Sequence, residues 1–325
     1  MASQDDSSPE STIATKKTPP ATTTRMAELQ KFLADKWKIR ELIATGGFGS
    51  VYKAYDNYKG KLVAIKVERK NSKNLICSEI GWEAHIISKL KGCPYIPTVF
   101  YTKVSKECSF MVMELLGPSL SMIRKNGHQF SPGVVAMIGK QCLCAVQALH
   151  QAGFVHRDIK PANFAVGLGD KIRTIHLIDY GMCKRYRDKD GNMLSNRGEV
   201  GFRGTVRYAS CKAHLSMDLG RGDDLISFFY MLYELMDNHL PWWQESDVNF
   251  IFHMKLTYRL ETMGAKLGSQ MKILAKHVSS LDFSSEPNYE LILQQLTNMM
   301  TENSVTEDTP FGWEGWLSNK GSEPM

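Results

Sequence analysis

The chain has few cysteines, no long apolar run and no recognisable secretory signal. Its seven cysteines in 325 residues are too few and too scattered for a disulfide framework. The closest pair, Cys142 and Cys144, lies in an apolar helical stretch with no matching second pair, which favours buried free thiols over a metal site. No apolar run approaches the roughly 20 residues that span a bilayer, and Met1–Pro9 has no apolar core. These absences exclude disulfide-rich secreted proteins, argue against a membrane protein, and predict a cytoplasmic protein that could also enter the nucleus.

The net charge of +6 is concentrated in one part of the chain. Between Lys184 and Arg221 there are nine basic and four acidic residues, so this stretch alone carries +5. It is either a solvated loop or a surface that binds anions. Nucleic acid is the weakest candidate for that anion, because no aromatic platform is interleaved with the basic residues. We therefore expect no nucleic-acid partner.

The first half of the ordered chain has the texture of a small β-rich unit. Residues 1–30 are rich in Ser, Thr and Pro and are predicted to be a disordered tail. Short strand-like runs then alternate with Gly-containing turns, which predicts an antiparallel meander, and one helix is expected over Ser78–Leu90. The predicted strands are Trp37–Ala44, Ser50–Tyr55, Leu62–Glu68, Val99–Lys103 and Phe110–Glu114.

Beyond Pro118 the pattern becomes mainly helical. Val134–Gln151 is a long periodic helix that Gly153 suits as a C-terminal cap, and Asp224–Met236 is apolar on nearly all sides, as a central core helix would be. We therefore predict an α+β fold of two lobes: a small β-rich N-lobe with one main helix, and a larger α-helical C-lobe. The predicted boundaries are 31–317 for the whole domain, about 31–114 and 118–317 for its lobes, and 318–325 for a short tail.

Two motifs in the N-lobe suit a nucleotide. Thr45–Val51 is a Gly-rich turn between strands, in which backbone N–H groups can approach phosphates, although many ordinary hairpins carry such glycines. In the next strand Ala64 and Lys66 share one face, which fits a flat base and its phosphates. Glu83 lies close to the apolar stripe of the predicted helix and needs a cation there. We predict a Lys66–Glu83 pair, with Glu79 as a weaker alternative.

The segment His156–Asn163 carries the strongest signal. For phosphoryl transfer, Asp158 would orient the attacking hydroxyl and accept its proton, Lys160 would neutralise charge, and Asn163 would hold magnesium. Asp179, at the end of the strand before Tyr180-Gly181, would hold the same ion. Alone, each Asp or Asn is more often turn chemistry.

Taken together, these features occur in the order and context of the protein-kinase signature. The sequence therefore predicts an enzyme that transfers the γ-phosphoryl group of ATP, with Mg²⁺, to Ser/Thr hydroxyls of proteins. A pseudokinase scaffold that docks phosphopeptides is the alternative, and a scaffold has no chemical need for all of these residues. A small-molecule kinase fits less well, because the segment between Gly181 and Ser210 is long.

The chain resembles the casein kinase one superfamily of protein kinases, and most closely its tau-tubulin kinase group, from about Trp37 to Trp316. The superfamily's motifs are Met113–Leu120 and Gly204–Ser210. The narrower motifs are Gly201–Thr205, Ser279–Asp282 and Asp308–Glu314.

The resemblance implies the lining of an ATP site. Met113 would close the back of the adenine pocket, and Glu114 and Leu116 would bond the base through backbone groups. Ala44 replaces a common first glycine of the loop, and Tyr180 replaces the usual Phe; neither change suggests a dead enzyme. The nucleotide-contacting residues are predicted to be Gly46, Gly47, Phe48, Gly49, Val51, Ala64, Lys66, Met113, Glu114 and Leu116.

The resemblance and the basic stretch also bear on substrates and control. Arg203 and Arg207 are expected to favour acidic or already phosphorylated peptides, unless these arginines only tie down the activation segment. Activating phosphorylation is not expected to be required, and Glu199 could pair with Arg157 instead. Asp224 would brace the catalytic loop and could also cap its own helix. We expect a monomer that acts on proteins, the group name pointing to cytoskeletal ones, with no membrane partner.

Overall fold

We describe the chain from a computed structural model that covers residues 29–33, 35–47, 49–68, 78–106 and 108–320. Its N-terminal half is a five-stranded antiparallel sheet of order β1-β2-β3-β5-β4. The predicted strands are confirmed, with ends that differ by at most one residue. They are β1 (Trp37–Thr45), β2 (Gly49–Asp56), β3 (Lys61–Glu68), β4 (Val99–Lys103) and β5 (Phe110–Glu114).

One long helix, α1 (Glu79–Lys89), accompanies the sheet. Ser78 caps it by accepting a hydrogen bond from the backbone N–H of Gly81 at 3.1 Å. Its buried residues are Ile80, Glu83, Ile86 and Ile87, so one carboxylate is carried into an otherwise apolar face. That placement puts Glu83 under the sheet, where β3 brings Lys66.

The C-terminal half is mainly helical, with two short two-stranded ladders. The ladders pair β6 (Phe154–Val155) with β9 (Lys184–Arg185), and β7 (Phe164–Val166) with β8 (Ile175–Leu177). The helices are α2 (Leu120–Lys125), α3 (Pro132–Gln151), α4 (Cys211–His214), α5 (Arg221–Asp237), α6 (Val248–Thr257), α7 (Leu260–Leu267), α8 (Ser269–Ser279), α9 (Tyr289–Glu302) and α10 (Glu314–Lys320).

Helix α3 is the longest element and differs from one expectation. By length and composition alone its 20 residues could cross a membrane, although no such run was expected from the sequence. Inside the protein, however, 61% of its most apolar window is buried, and it packs against α5 and α9. Burial in the C-lobe core therefore accounts for its apolar sequence. Gly153, with φ of 87°, follows its last turn as predicted.

One predicted helix cap needs correction, and the predicted ends of the domain stay predictions. Asp224 does not cap α5, because that helix begins at Arg221 and Asp223 accepts the backbone N–H of Gly220 at 2.8 Å. Asp224 lies in the first turn instead. At the end of the chain α10 continues to Lys320, beyond the domain end predicted at residue 317. The predicted N-terminal tail lies almost wholly outside the described residues.

Candidate active site

Lys66 lies between two carboxylates at the junction of the lobes. Its Nζ is 2.6 Å from Oε1 of Glu83 and 2.9 Å from Oδ1 of Asp179. Burial alone would lower the pKa of Lys66, but the two carboxylates outweigh it and raise the pKa to about 12. The ammonium is therefore charged at any physiological pH, and its position is fixed from two sides.

The Lys66–Glu83 pair that the sequence predicted is present, and Glu79 makes a different contact. Glu83 is 1% exposed, and this burial raises its pKa, although Lys66 opposes the rise. The backbone N–H of Glu79 donates to Oε1 of Glu68 at 2.9 Å, at the edge of the helix. Among the described residues, the ion pairs of Lys66 are with Glu83 and Asp179, and not with Glu79.

Asp158 is the centre of a compact polar network in the loop after β6. Lys160 Nζ is 2.6 Å from its Oδ2, and the hydroxyl of Thr205 donates to its Oδ1 at 2.7 Å. The amide nitrogen of Asn163 donates to the Asp158 backbone carbonyl at 2.8 Å and lies 3.2 Å from its Oδ2. Lys160 Nζ also donates to Thr205 Oγ1 at 2.8 Å. Both carboxylate oxygens are therefore oriented by donors, as a general base that must meet one hydroxyl requires.

Asp224 supports this loop from below, as expected from the resemblance. It accepts the backbone N–H groups of His156 and Arg157 at 2.6 and 2.7 Å, and it lies 2.9 Å from Nε2 of His150. Burial would raise the pKa of Asp224, yet the hydrogen bond and charge of His150 contribute to holding it below its usual range. A buried anion thus fixes the backbone where Arg157 takes a φ of 68°, a strained value for a residue with a Cβ.

A cavity of about 430 Å³ between the lobes has the lining that a nucleotide needs. Ala44 lines it too, in place of the common first glycine, whereas Gly47 does not, and Phe48 lies outside the described residues. The predicted residues that line it are Gly46, Gly49, Val51, Ala64, Lys66, Met113, Glu114 and Leu116, together with Asn163 and Asp179.

Gly49 is required by the backbone of the loop. A Cβ at this position would stand 2.1 Å from the carbonyl oxygen of Val67, far inside contact distance. The N–H of Gly46 donates to the Gly49 carbonyl at 2.8 Å, which closes the turn. No atom of the described residues comes within 4 Å of a Cβ built on Gly46, so its missing side chain leaves open space beside the cavity.

Asn163 and Asp179 offer oxygen atoms to the same cavity, as the hard ion Mg²⁺ prefers. Burial would raise the pKa of Asp179, but Lys66 lowers it below its usual range, so the carboxylate is ionised at neutral pH. Within the described ranges no cluster of three or more His, Cys, Asp or Glu could hold a metal alone. These two residues therefore fit an ion that shares its remaining ligands with phosphates and water.

Tyr180 shows why the aromatic residue after Asp179 can carry a hydroxyl. Its ring is 1% exposed, and its hydroxyl donates to the backbone carbonyl of Leu177 at 2.8 Å. The added polar group is thus satisfied inside the core, without any contact to the catalytic side chains.

The two arginines predicted to bind substrate anions lie in different surroundings. Arg203 lines a second cavity of about 430 Å³, whereas Arg207 donates to the carbonyl of Trp243 at 2.9 Å and approaches Glu234 at 3.9 Å. Arg207 thus has the anchoring role that was the alternative reading. The basic residues around the second cavity are Arg157, Lys184, Arg185, Arg197 and Arg203.

The expected Arg157–Glu199 pair is not formed. Arg157 instead donates its Nε–H to the carbonyl of Met182 at 2.7 Å. The activation segment is tied down by Asp218, which accepts from Lys184 at 2.5 Å and from Arg197 at 3.1 Å. Sequence reasoning missed Asp218. Its only signal was an acidic residue within an otherwise basic stretch.

A tryptophan of α1 also holds this segment. The indole N–H of Trp82 donates to the carbonyl of Cys183 at 3.1 Å. Cys183 directly precedes β9, the strand that pairs with β6. On the same helix His85 lies 3.3 Å from a guanidinium nitrogen of Arg185. Both contacts join the helix that carries Glu83 to the segment after Asp179, so the two halves of the site share one support.

Comparison with known families agrees with this arrangement. The protein kinase domain family matches residues 37–304, and the chain belongs to that family. A Dictyostelium discoideum protein named a probable serine/threonine-protein kinase is 37% identical over 282 residues. The match covers 86% of this chain and 56% of that protein, so the chain spans little more than half of this relative. A Caenorhabditis elegans protein provisionally named a casein kinase I is 30% identical over 290 residues, covering 86% of this chain and 84% of that one.

Proposed function

We propose that this chain is an active serine/threonine protein kinase that uses ATP and Mg²⁺. The observation that carries the proposal is that one site holds every group the transfer needs. Asp158 is oriented by Lys160 and Thr205, while Lys66 is fixed between Glu83 and Asp179. A scaffold that only binds peptides would not require a buried lysine–carboxylate pair beside an oriented base.

The residues divide the reaction between them. The oxygen of a Ser or Thr hydroxyl bonds to the γ-phosphorus of ATP, the bond from that phosphorus to the β–γ bridging oxygen breaks, and the hydroxyl proton passes to Asp158. Lys66 holds the α- and β-phosphates, and Lys160 offsets charge on the group in transit. Asn163 and Asp179 would hold Mg²⁺, which would neutralise charge on the phosphates.

We further propose that the substrates are acidic or already phosphorylated proteins. The basic cavity beside the activation segment supports this preference, because four guanidinium groups and Lys184 surround a space large enough for an anionic side chain. Arg203 has only the carbonyl of Phe202 as a hydrogen-bond acceptor in its described surroundings, so most of its donors remain available to an anion. Arg207 is a weaker candidate, since its guanidinium already donates to Trp243 and lies beside Glu234.

The narrower assignments rest mainly on the sequence. The resemblance to the tau-tubulin kinase group supports cytoskeletal proteins as substrates, and the scattered free cysteines support a cytoplasmic location. The 31–317 domain, a monomeric state and activity without activating phosphorylation are part of the same proposal. The contacts of Asp218 and Trp82 support the last point, since they fix the activation segment with the chain's own residues.

Phosphate transfer from Mg–ATP to a panel of acidic, phosphorylated and basic Ser/Thr peptides tests the proposal. We expect transfer that Asp158→Asn abolishes, with acidic or phosphorylated peptides preferred. Asp188→Asn is the matched control, because Asp188 is a loop residue that only bonds within its own turn. ATP binding without transfer to any peptide would contradict the proposal and favour the scaffold.

Activity of phosphatase-treated protein tests independence from activating phosphorylation. Arg203→Ala should lower kcat/KM for the phosphorylated peptides much more than for their unphosphorylated forms. An unchanged preference in Arg203→Ala would overturn the assignment of the basic cavity to substrate.

A further inference from the structure

Lys255 is a buried lysine that the proposed reaction does not use. It lies on α6, a helix that buries only this residue and Ile251, and it is 3% exposed. Among the residues that the structure describes, no carboxylate forms an ion pair with it. An ammonium group removed from water without an anion is costly, so its other contacts must compensate.

Those contacts are with residues 206–209, which follow the activation loop, and with three ring side chains that surround the ammonium. Lys255 Nζ donates to the carbonyl oxygens of Val206 and Ala209, each at 2.6 Å, and lies 3.1 Å from Nε2 of His214. Two of its N–H groups therefore meet carbonyl acceptors, and the ammonium also lies beside the His214 ring. The ring centroids of Tyr230 and Trp242 lie 5.4 and 5.2 Å from the ammonium, which favours a cation in this place.

The same short segment is held at its other end by the catalytic loop. Thr205, next to Val206, donates its hydroxyl to Asp158 at 2.7 Å. A Cβ at Gly204 would stand 2.6 Å from the carbonyl of Arg157, so the two loops are in close contact there. Residues 204–209 thus form a short bridge with the catalytic carboxylate at one end and Lys255 beneath the other.

We propose that Lys255 is a positioning residue for the protein substrate. By holding the carbonyls of Val206 and Ala209, it fixes the bridge against which a peptide's phosphoacceptor hydroxyl must approach Asp158. This inference rests on the proposed kinase function. None of the described residues that Lys255 contacts lines the nucleotide cavity, so we expect its effect to fall on the peptide and not on ATP.

The charge of Lys255 matters to this role. Charge-assisted hydrogen bonds are about twice as strong as neutral ones, and burial lowers the pKa of Lys255 to about 7. The titratable groups that face it are Cys211 and His214 from α4 and Tyr230 from α5. Burial raises the pKa of the Cys211 thiol and of Tyr230, and lowers that of His214 to about 4, so all three are neutral near pH 7. Only Lys255 changes charge there.

The test compares Lys255→Met with Lys266→Met in phosphate transfer to a Ser peptide flanked by Asp and Glu. Lys266 is the matched control, since it pairs with Asp237 on the surface and does not contact residues 204–209. We expect kcat/KM for the peptide to fall roughly tenfold or more in Lys255→Met, the loss that two unsatisfied carbonyls imply. Intrinsic ATP hydrolysis and the KM for ATP should stay within about threefold, which a merely structural defect would not spare.

The wild-type protein provides a second measurement that needs no variant. As pH rises from 6 to 8.5, the KM for the same peptide should increase through pH 7, while the KM for ATP in intrinsic hydrolysis changes little. An equal loss of peptide transfer and ATP hydrolysis in Lys255→Met would overturn the inference, as would an unchanged peptide kcat/KM. Absence of transfer by the wild type would instead overturn the proposed function itself.

Discussion

Replacing Asp218 by Asn should lower the free energy of unfolding and weaken the binding of anionic peptides to the basic cavity. The Asp218 side chain is fully buried. Its Oδ2 lies 2.5 Å from Nζ of Lys184, and its Oδ1 lies 3.1 Å from a guanidinium nitrogen of Arg197. Its backbone N–H donates to the carbonyl of Gly198 at 2.8 Å. The neutral amide keeps the shape of the side chain but removes the charge that two cations share. Both cations line the cavity assigned to substrate anions.

The magnitude follows from the titration of Asp218. Burial opposes ionisation, but the hydrogen bonds from Arg197 and Lys184 outweigh it and lower the pKa from 3.8 to about 2. That fall of roughly 1.8 is worth about 2.4 kcal/mol of folding free energy. Because the folded pKa is the lower one, the stabilisation is complete above pH 4 and is lost as pH falls toward 2. At pH 7 Asp218→Asn should therefore lower the free energy of unfolding by about 2 to 3 kcal/mol.

Urea unfolding at pH 7 measures this loss, and thermal unfolding should show a decrease in Tm of roughly 3–5 °C. Asp188→Asn, a change at a half-buried residue of the same segment that bonds only within its own turn, is the control and should stay within about 0.5 kcal/mol of the wild type. The KM for a phosphorylated peptide should also rise, since Lys184 and Arg197 lose their common anchor. Wild-type stability in Asp218→Asn would show that desolvation cancels the two ion pairs, and would refute the reasoning.

Three further predictions concern the catalytic site and α6. Glu83→Gln should lower kcat at least tenfold while the protein stays folded, because Lys66 keeps only Asp179; single-turnover transfer measures it, and wild-type kcat would contradict the ion-pair argument. Tyr180→Phe should lower the free energy of unfolding by about 1 kcal/mol with unchanged kcat, because one buried hydrogen bond is lost; a large fall in kcat would contradict this assignment. Lys255 has a folded pKa of about 7, below its ordinary 10.5. The wild-type free energy of unfolding should therefore rise between pH 7 and 10 relative to that of Lys255→Met. The same pH dependence of the free energy of unfolding in both proteins, measured with urea, would refute that pKa.

The surroundings of four cations near the activation segment separate two uses of positive charge. Lys184 and Arg197 are bound by Asp218, and Arg207 is bound by Trp243 and Glu234. These three hold the segment in place. Arg203 lies in the same basic stretch without such an anion partner among the described residues. The stretch therefore combines anchoring and binding, and charge counting alone could not divide the two.

Much of the site followed from local sequence. The segment Val63–Lys66 reads as a strand, so Lys66 was expected beside Ala64 on one face. Glu83 was expected to pair with it because a carboxylate on the apolar stripe of a helix needs a cation. The functional side chains from Asp158 to Asn163 were expected to lie close together, since these residues are at most five positions apart. Such inferences succeed because a few covalent bonds and one repeating backbone period fix the relative positions of the groups.

Tertiary packing decided the rest. Thr205 meets Asp158 across 47 positions, Lys255 meets Ala209 across 46, and Trp82 meets Cys183 across 101. Arg157 and Glu199 looked compatible by charge, yet the fold gives Arg157 a backbone carbonyl instead. No periodicity links such distant residues, because their contacts depend on how separate elements stack. The sequence by itself determined which groups the site contains, and only the folded chain decided which of them hold the others in place.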